Sequence, residues 1–365
     1  MENNVDEQYL SLIRDIKQNG VYKETRSGEV LSVFGRMLRF NLQEGLPILT
    51  TKQIFSKGCI HELLWFLSGS TNIKYLLENN VHIWDDDAYR HYKSLVERHN
   101  EILNTRLQQT QRFFEEDNLV PFSKEKFLEM VLKGEKITLY SCPQGYKYGD
   151  LGDVYGKQWR DFGGVAQCKG VDQIQWIIKS LKEKPDDRRM LCVAYNPLVV
   201  DSVALPPCHV MFQFYSKPMS HAERLTWLCD HSNGEYDEWK WPLESKLDEL
   251  GVPKRKLSCM WTQRSVDVGL GLPFNILSYA ILTNMIAQCV GMEVGELVGS
   301  LGDCHIYLNQ MDGLDEQLSR DPHRYKLPKL ELNKEITNID NFKYEDIKIV
   351  DYYSFPKINL PLSVG

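Results

Sequence analysis

The spacing of apolar residues predicts helices in four parts of the chain. These parts repeat their apolar positions at the 3.6-residue period of a helix, and they cover residues 6–19, 58–79, 173–184 and 275–290. A Ser-Gly-Ser-Thr sequence divides the second part into two helices. The last part is mostly apolar and carries no charge, so we expect a helix buried on most sides. Asn275 opens it at a position suited to a cap.

Period-two alternation predicts a strand immediately after Cys208. Apolar and more polar side chains alternate over residues 210–215. Two prolines at 206–207 precede this run, and because proline lacks an N–H, the pair suits the entrance of a strand rather than its middle. Cys208 is therefore expected at the mouth of a strand, on a stiffly held backbone. Similar strand patterns cover residues 190–195, 257–265 and 297–307.

Two polar, charged stretches interrupt this pattern, at about residues 90–148 and 216–256. They are interpreted as insertions, and their sequences do not indicate a function. Internal repeats and low-complexity linkers are absent from the sequence, so residues 1–365 are expected to form a single domain.

Composition narrows the classes of function. The chain has 365 residues, a hydrophobic content of 42% and a net charge of −7, which argues against a general nucleic-acid-binding surface. Nine cysteines are scattered singly, without the spacing of a metal site, and the N-terminus is acidic and lacks an apolar signal core. We therefore expect no bound metal, no membrane span and a cytoplasmic protein with reduced thiols.

One cysteine, one glutamate and several arginines are the candidates for chemistry. Cys208 with nearby arginines favours covalent attack by a thiolate on a small anionic substrate, and Glu62 stands within the apolar surface of its helix. Each has a plain structural alternative: a buried small hydrophobe, a solvated helix glutamate, and arginines paired with neighbouring aspartates. A Cys-His protease dyad is rejected, because His209 follows Cys208 on a strand and points to its opposite face.

Seven motifs, taken together and in order, resemble the thymidylate synthase family. The resemblance runs from about residue 5 to the C-terminus, apart from the two insertions. The motifs are His61-Glu-Leu-Leu-Trp-Phe-Leu, Asp150-Leu-Gly-Asp-Val-Tyr-Gly-Lys-Gln-Trp-Arg, Arg188-Arg, Pro207-Cys-His, Gln263-Arg-Ser, Gly271-Leu-Pro-Phe-Asn-Ile and Gly302-Asp-Cys-His-Ile-Tyr.

This resemblance implies an α+β fold with a large mixed sheet flanked by helices, the sheets of two subunits packing back to back in a homodimer. It implies dUMP as substrate and 5,10-methylenetetrahydrofolate as the donor of carbon and hydride. Cys208 is then expected to attack C6 of the uracil, while Glu62 and Tyr155 manage protons. Nothing in the resemblance calls for a metal.

The resemblance also assigns residues to three overlapping sets. The catalytic set comprises Cys208, Glu62, Tyr155, Asn275, Asp267 and His305. The set that binds the nucleotide comprises Arg26, Gln263, Arg264, Ser265, Asn275, His305 and Tyr307, with Arg188 and Arg189 supplied by the partner subunit. The set that binds folate comprises Trp84, Leu205, Asp267, Gly271, Phe274 and Val364, the last closing the site.

Two other functions remain open at this level. A dUMP hydroxymethylase shares the cysteine addition but lets water quench the methylene intermediate, and Asn275, which favours uracil over cytosine, does not separate the two. The second is a non-catalytic protein that binds nucleotide or messenger RNA, as some members of the family do. The chain also departs from the family pattern, since its Arg26 loop is one residue shorter and Asp87 replaces a tryptophan common in bacterial members.

Overall fold

The computed structural model describes residues 4–110, 118–165, 168–232 and 243–362. In these residues ten strands are present: β1 Val21–Thr25, β2 Gly28–Asn41, β3 Lys136–Leu139, β4 Cys142–Lys147, β5 Leu191–Val193, β6 His209–Pro218, β7 Arg255–Asp267, β8 Glu293–Tyr307, β9 Lys329–Leu332 and β10 Ile347–Val350. Six of them form one sheet in the order β1-β2-β8-β7-β6-β5. Its β7–β8 pair is parallel and its other pairs are antiparallel, so the sheet is mixed.

Helices cover one face of this sheet. Those described are α1 Asn4–Asn19, α2 Ser56–Leu67, α3 Lys74–Glu78, α4 Asp85–Thr110, α5 Lys124–Lys133, α6 Tyr155–Arg160, α7 Gln173–Glu183, α8 His221–His231, α9 Glu244–Glu249, α10 Gly271–Val290 and α11 Met311–Leu318. The helix α10 packs on β7, β8, α2 and α7, while α1 packs on β2 and β8. The α+β class with a large mixed sheet and flanking helices is thereby confirmed.

The apolar helix predicted near residue 275 is α10, and its start differs from the prediction. It begins four residues earlier, at Gly271, so Asn275 lies in the second turn and caps nothing. The helix ends at Val290 and is capped by Gly291, whose left-handed backbone (φ 66°) suits glycine. Asn275 is instead buried and directed toward β7, where its amide meets the side chain of Gln263.

The strand predicted after Cys208 is β6, and it begins at His209. Phe212 and Phe214 are buried under the helices, whereas Gln213 is half-buried and Tyr215 is exposed on the opposite face. That opposite face continues onto β7 through half-buried residues such as Met260, which pairs with Gln213. No described element of this chain packs over it in the way the helices cover the other face.

The two stretches interpreted as insertions pack into different hydrophobic clusters. The first contains most of α4, the helix α5 and the β3–β4 hairpin, and its Tyr92, Phe127 and Tyr148 belong to the main hydrophobic core. The second contains α8 and α9, whose Leu228 and Leu247 form a separate small cluster. Strand β6 continues to Pro218 and β7 begins at Arg255, so the sheet extends slightly into the second stretch.

No helix in the described part of the chain has both the length and the apolar character needed to cross a membrane. The same residues contain no group of three or more His, Cys, Asp or Glu side chains arranged to hold a metal ion. All nine cysteines are free thiols.

Candidate active site

A cavity of about 860 Å³ lies between the β1–β2 hairpin, the ends of β7 and β8, and the start of α10. Its remaining walls come from α2, the first turns of α4 and residues 357–362 near the C-terminus. The predicted site residues that line it are Arg26, Glu62, Leu205, Cys208, Arg264, Ser265, Asp267, Gly271, Phe274, Asn275, His305 and Tyr307.

Cys208 faces the cavity from the mouth of β6. Its backbone N–H donates to the Tyr155 hydroxyl at 2.7 Å, and its sulfur lies 3.7 Å from Nη2 of Arg264. Burial raises the pKa of the Cys208 thiol, while the Arg264 guanidinium acts in the opposite direction. The net effect is a raised pKa, to which the charge of Asp87 also contributes, so the thiol form is favoured in the ligand-free protein and Arg264 only partly offsets this.

The guanidinium of Arg264 is fixed by the two prolines before the cysteine. Its Nε donates to the Pro207 carbonyl at 2.9 Å, and its Nη2 donates to the Pro206 carbonyl at 2.8 Å. The backbone N–H of Arg264 also donates to the Cys208 carbonyl at 2.9 Å. The Pro-Pro pair thus sets both the backbone of the nucleophile and the position of the charge beside it.

Glu62 projects from α2 into the floor of the cavity. Its Oε1 accepts a hydrogen bond of 2.7 Å from Nε1 of Trp84. Burial raises the pKa of Glu62 from 4.5 to about 7, and the bond from Trp84 only partly opposes this. A carboxyl group with this pKa both takes up and releases a proton near neutral pH. Trp84 itself is buried behind Glu62, in edge contact with Tyr155.

His209 does not form a dyad with the cysteine. It is buried on the helix side of the sheet, with its ring against those of Tyr155 (centroids 5.2 Å apart) and Tyr279 (5.4 Å). Burial lowers the pKa of His209 to about 4, so the imidazole is neutral at pH 7. The rejection of a protease-like Cys-His pair is consistent with this arrangement.

The orientation of the Asn275 amide follows from a chain of hydrogen bonds. The Trp261 indole is a donor only, and its Nε1 donates to Oε1 of Gln263 at 3.2 Å. The Nε2 of Gln263 therefore donates to Oδ1 of Asn275, at 3.0 Å. The amide of Asn275 also hydrogen-bonds the His209 side chain, and with Oδ1 accepting from Gln263 its NH₂ group is the donor available to a ligand in the cavity. Gln263 is buried behind Asn275, so it contributes to ligand binding by orienting the Asn275 amide.

His305 and Tyr307 line the cavity from the end of β8. Nδ1 of His305 lies 3.2 Å from Oδ1 of Asp303, two residues earlier on the same face of the strand. Asp303 also accepts from Oγ of Ser32 at 2.9 Å and from Nζ of Lys23 at 2.8 Å. Burial opposes ionisation of Asp303, but these bonds outweigh it and lower its pKa. The anchored carboxylate holds the His305 ring in place.

Arg26 occupies the tip of a tight hairpin rather than a longer loop. Thr25 pairs with Gly28, so Arg26 and Ser27 form a two-residue turn. Gly28 has a φ of 128°, a conformation that glycine adopts readily. Arg26 is exposed at the cavity rim, on the same wall as Tyr307.

The residues assigned to folate form an apolar part of the cavity with one carboxylate. Leu205 and Phe274 are half-buried there, beside Gly271. Oδ1 of Asp267 accepts from the backbone N–H of Leu270 at 3.1 Å. A flat, mainly apolar ligand that carries N–H donors fits this composition. Val364 lies outside the described residues.

The comparisons with known proteins identify the family of the chain. The family model described as thymidylate synthase matches residues 7–364. The chain belongs to the thymidylate synthase family. Relatives named thymidylate synthase include those of Mycoplasma mobile, 40% identical over 98% of this chain and 100% of the relative, and Listeria monocytogenes serotype 4b, 38% identical over 98% and 99%. The thymidylate synthase of Listeria innocua is 37% identical over the same shares.

These matches support thymidylate synthase activity and do not favour the hydroxymethylase. Similarity at this level extends over nearly the whole chain.

Arg188 and Arg189, from the thymidylate synthase motif set, lie outside the cavity of their own chain. Both are exposed just before β5, on the sheet edge distant from the β1–β2 hairpin. The Arg189 guanidinium donates to both carboxylate oxygens of Asp187, at 3.0 and 2.8 Å. The pairing with a neighbouring aspartate, considered above as the structural alternative, is therefore present for Arg189.

Six charged residues of the cavity wall were not among those assigned from the family motifs: Lys23, Asp86, Asp87, Arg90, Asp303 and Lys357. Arg90 forms an ion pair with Asp87. Burial raises the pKa of Asp87, and Arg90 opposes that effect. The spacing Asp303-x-His305 on a predicted strand was a usable signal, because alternate residues share a face. Lys23 and Arg90 gave no such signal, since only the tertiary contact reveals them.

Proposed function

We propose that the protein methylates dUMP to dTMP, with 5,10-methylenetetrahydrofolate as the donor of carbon and hydride. The single observation that supports this best is the position of Cys208 in one cavity with Glu62, Asn275 and Arg264. A thiol, a carboxyl group with a raised pKa and an oriented amide are the groups that addition to a uracil ring requires.

The nucleotide is oriented by charge at one end and by hydrogen bonds along its length. Arg26, Arg264 and Ser265 bind the phosphate, because guanidinium groups and a hydroxyl match its oxygens. His305 and Tyr307 bind the sugar hydroxyl. These contacts bring the pyrimidine ring to the part of the cavity that holds the cysteine and the asparagine.

Asn275 selects uracil through its NH₂ group. That group faces the cavity because Oδ1 is occupied by Gln263, and O4 of uracil is an acceptor. Cytosine carries an amino donor at the same position, so two donors would face each other and the complex would lose a buried hydrogen bond.

Covalent addition begins when the Cys208 sulfur attacks C6 of the ring. The C5–C6 double bond opens, the negative charge is delocalised onto O4, and the donor NH₂ of Asn275 stabilises it. The thiol proton is lost as the substrate binds, favoured by the adjacent Arg264. Glu62, with its pKa near 7, manages the proton that C5 must later release, together with Tyr155.

The folate co-substrate would be held by Leu205, Asp267, Gly271 and Phe274, with Trp84 behind the cavity wall against Glu62, and it would supply the one-carbon unit and the hydride. The apolar walls suit its flat ring system, and the Asp267 carboxylate suits ring N–H donors. Water exclusion by these residues favours methylation over hydroxymethylation, because water has less access to the intermediate.

The active protein is a homodimer in this proposal. The face of the sheet that carries Gln213, Tyr215 and Met260 is left open by the helices and suits packing against a second copy. Arg188 and Arg189 then reach the phosphate of the partner's nucleotide. The chain acts as a single domain in the cytoplasm, where nine unpaired thiols are stable.

Product analysis tests this function. Incubation with dUMP and methylenetetrahydrofolate should give dTMP by mass and dihydrofolate by absorbance, and the variant Cys208→Ser should lose both products while it still binds dUMP. Hydroxymethyl-dUMP with tetrahydrofolate would instead identify the hydroxymethylase. Binding of dUMP without turnover by the unmodified protein would leave only a nucleotide- or RNA-binding role.

A further inference from the structure

The turn that carries Asp267 is held from three directions. The hydroxyl of Tyr9 donates to the Val268 carbonyl at 2.8 Å, and Nζ of Lys52 donates to the Gly269 carbonyl at 2.5 Å. The third contact comes from Gln310, which follows β8 and is 1% exposed. Because of these contacts, the Asp267 carboxylate sits on a backbone that has little freedom to move.

Gln310 joins this turn to the C-terminal segment, residues 357–362. Its Nε2 donates to Oδ2 of Asp267 at 3.2 Å and to the Pro361 carbonyl at 3.1 Å. Both partners are acceptors only, so the orientation of the amide is fixed. One NH₂ group therefore bridges a wall of the cavity and the segment that covers it.

The segment also packs directly on the helix that follows Gln310. A β-carbon built on Gly313 would lie 2.5 Å from Cδ2 of Leu360 and 3.0 Å from Cγ2 of Ile358. A glycine at this position thus allows the segment to lie close to α11. Ile358 is buried in this contact, while Leu360 is half-buried.

The remaining oxygen of Gln310 supports a role in positioning. Its Oε1 is buried and has no hydrogen-bond partner among the described residues. A β-carbon built on Gly269 would lie only 2.2 Å from this oxygen, so Gln310 packs closely against the turn at this glycine. An unsatisfied buried acceptor lowers the stability of the fold. Because Gln310 is present despite this cost, the two hydrogen bonds from its NH₂ group are the contacts that matter.

We propose that Gln310 is a positioning residue that couples the closed position of the C-terminal segment to Asp267 of the folate site. This inference rests on the proposed function, because it assigns Asp267 and the segment to folate binding. Gln310 is not assigned a contact with the reacting atoms of the nucleotide or the folate. It acts through its two hydrogen-bond partners, Asp267 and Pro361. When the segment closes over the co-substrate, the bridge fixes the carboxylate, and when the bridge is absent each can move without the other.

The variants Gln310→Leu and Gln310→Glu each remove, in a different way, the hydrogen bonds that Nε2 donates to Asp267 and Pro361. Leucine removes the polar group, while glutamate keeps the shape but has no N–H donor and adds charge beside Asp267. We expect KM for methylenetetrahydrofolate to rise about tenfold with leucine, the size of one to two net hydrogen bonds, and further with glutamate. The Kd for dUMP should stay within about twofold of the unmodified protein, because the nucleotide contacts lie elsewhere in the cavity.

Gln317→Leu is the matched control. Gln317 is likewise fully buried, its Nε2 donates once, to Oγ1 of Thr51 at 2.9 Å, and its Oε1 also lacks a partner among the described residues. Its loss should lower stability without a change in KM for the folate. Equal effects of Gln310→Leu and Gln317→Leu on that KM would overturn the proposal.

Release of C-terminal residues by a carboxypeptidase provides a second readout that needs no turnover. Gln310→Leu should speed release several-fold in the ligand-free protein, and Gly313→Ala should do so to a smaller extent by displacing Leu360. Alanine favours a helix over glycine, so Gly313→Ala is expected to fold even if Gln310→Leu does not. Unchanged release in both variants would refute the coupling, whereas absence of dTMP from the unmodified protein would refute the proposed function alone.

Discussion

Replacing Glu62 by Gln should make the ligand-free protein more stable at alkaline pH while it abolishes most of the activity. The carboxyl of Glu62 is partly enclosed by apolar neighbours, and its burial raises the pKa from 4.5 to about 7. Between these two pH values the folded protein keeps a proton that the unfolded chain has lost. The contribution of Glu62 to the stability of the fold is therefore greatest below about pH 4.5 and is lost as the pH rises through 7.

The size of the effect follows from the two pKa values. With about 1.4 kcal/mol for each pKa unit, ionisation of Glu62 costs the fold about 1 kcal/mol at pH 5 and about 3 kcal/mol at pH 8. Glutamine stays neutral, and its Oε1 can still accept from Trp84, as that of Glu62 does. The difference in the free energy of unfolding between variant and unmodified protein should therefore widen by about 2 kcal/mol between pH 5 and pH 8 in favour of Gln.

Urea unfolding followed by circular dichroism, at one protein concentration and at pH 5, 6, 7 and 8, measures this difference. Other titrating groups, such as His209, are present in both proteins and cancel. The control is Glu78→Gln, which removes a carboxylate at an exposed position of α3, 3.8 Å from Nζ of Lys74. In the same variant of Glu62, kcat should fall by a factor of about 10² to 10⁴, as expected when a proton-transfer group is removed. A stability difference that is constant with pH would refute the reasoning.

Two further predictions concern the nucleotide contacts. In Gln263→Glu, the new carboxylate accepts from Trp261 but cannot donate to Asn275, so the Asn275 amide should reverse and present its oxygen to the ligand. Calorimetric titration should then show the ratio of dUMP affinity to dCMP affinity falling by at least about tenfold. An unchanged ratio would contradict the hydrogen-bond chain. In Asp303→Leu, His305 loses its anchor, and KM for dUMP should rise about tenfold with little change in KM for the folate. A rise in both KM values alike would indicate general damage to the cavity.

The sequence was sufficient for the parts of this protein that depend on local pattern. The proline pair fixed the place of Cys208, and period-two alternation located β6, because both effects act over a few neighbouring residues. The motifs in their order also sufficed for the family, since each is a short string of residue types. Glu62 was singled out from its position within an apolar helix surface, and the structure shows that it is both hydrogen-bonded to Trp84 and raised in pKa.

Tertiary structure decided what depends on residues distant along the chain. Asn275 was placed as a cap from its position beside an apolar run, but the helix begins at Gly271, and burial against Gln263 gives the amide its actual partner. The bridge from Gln310 joins elements separated by 43 and 51 residues, and no periodicity records such a contact. Local propensity sets where an element forms, whereas the packing of its side chains against other elements sets what each polar group can do.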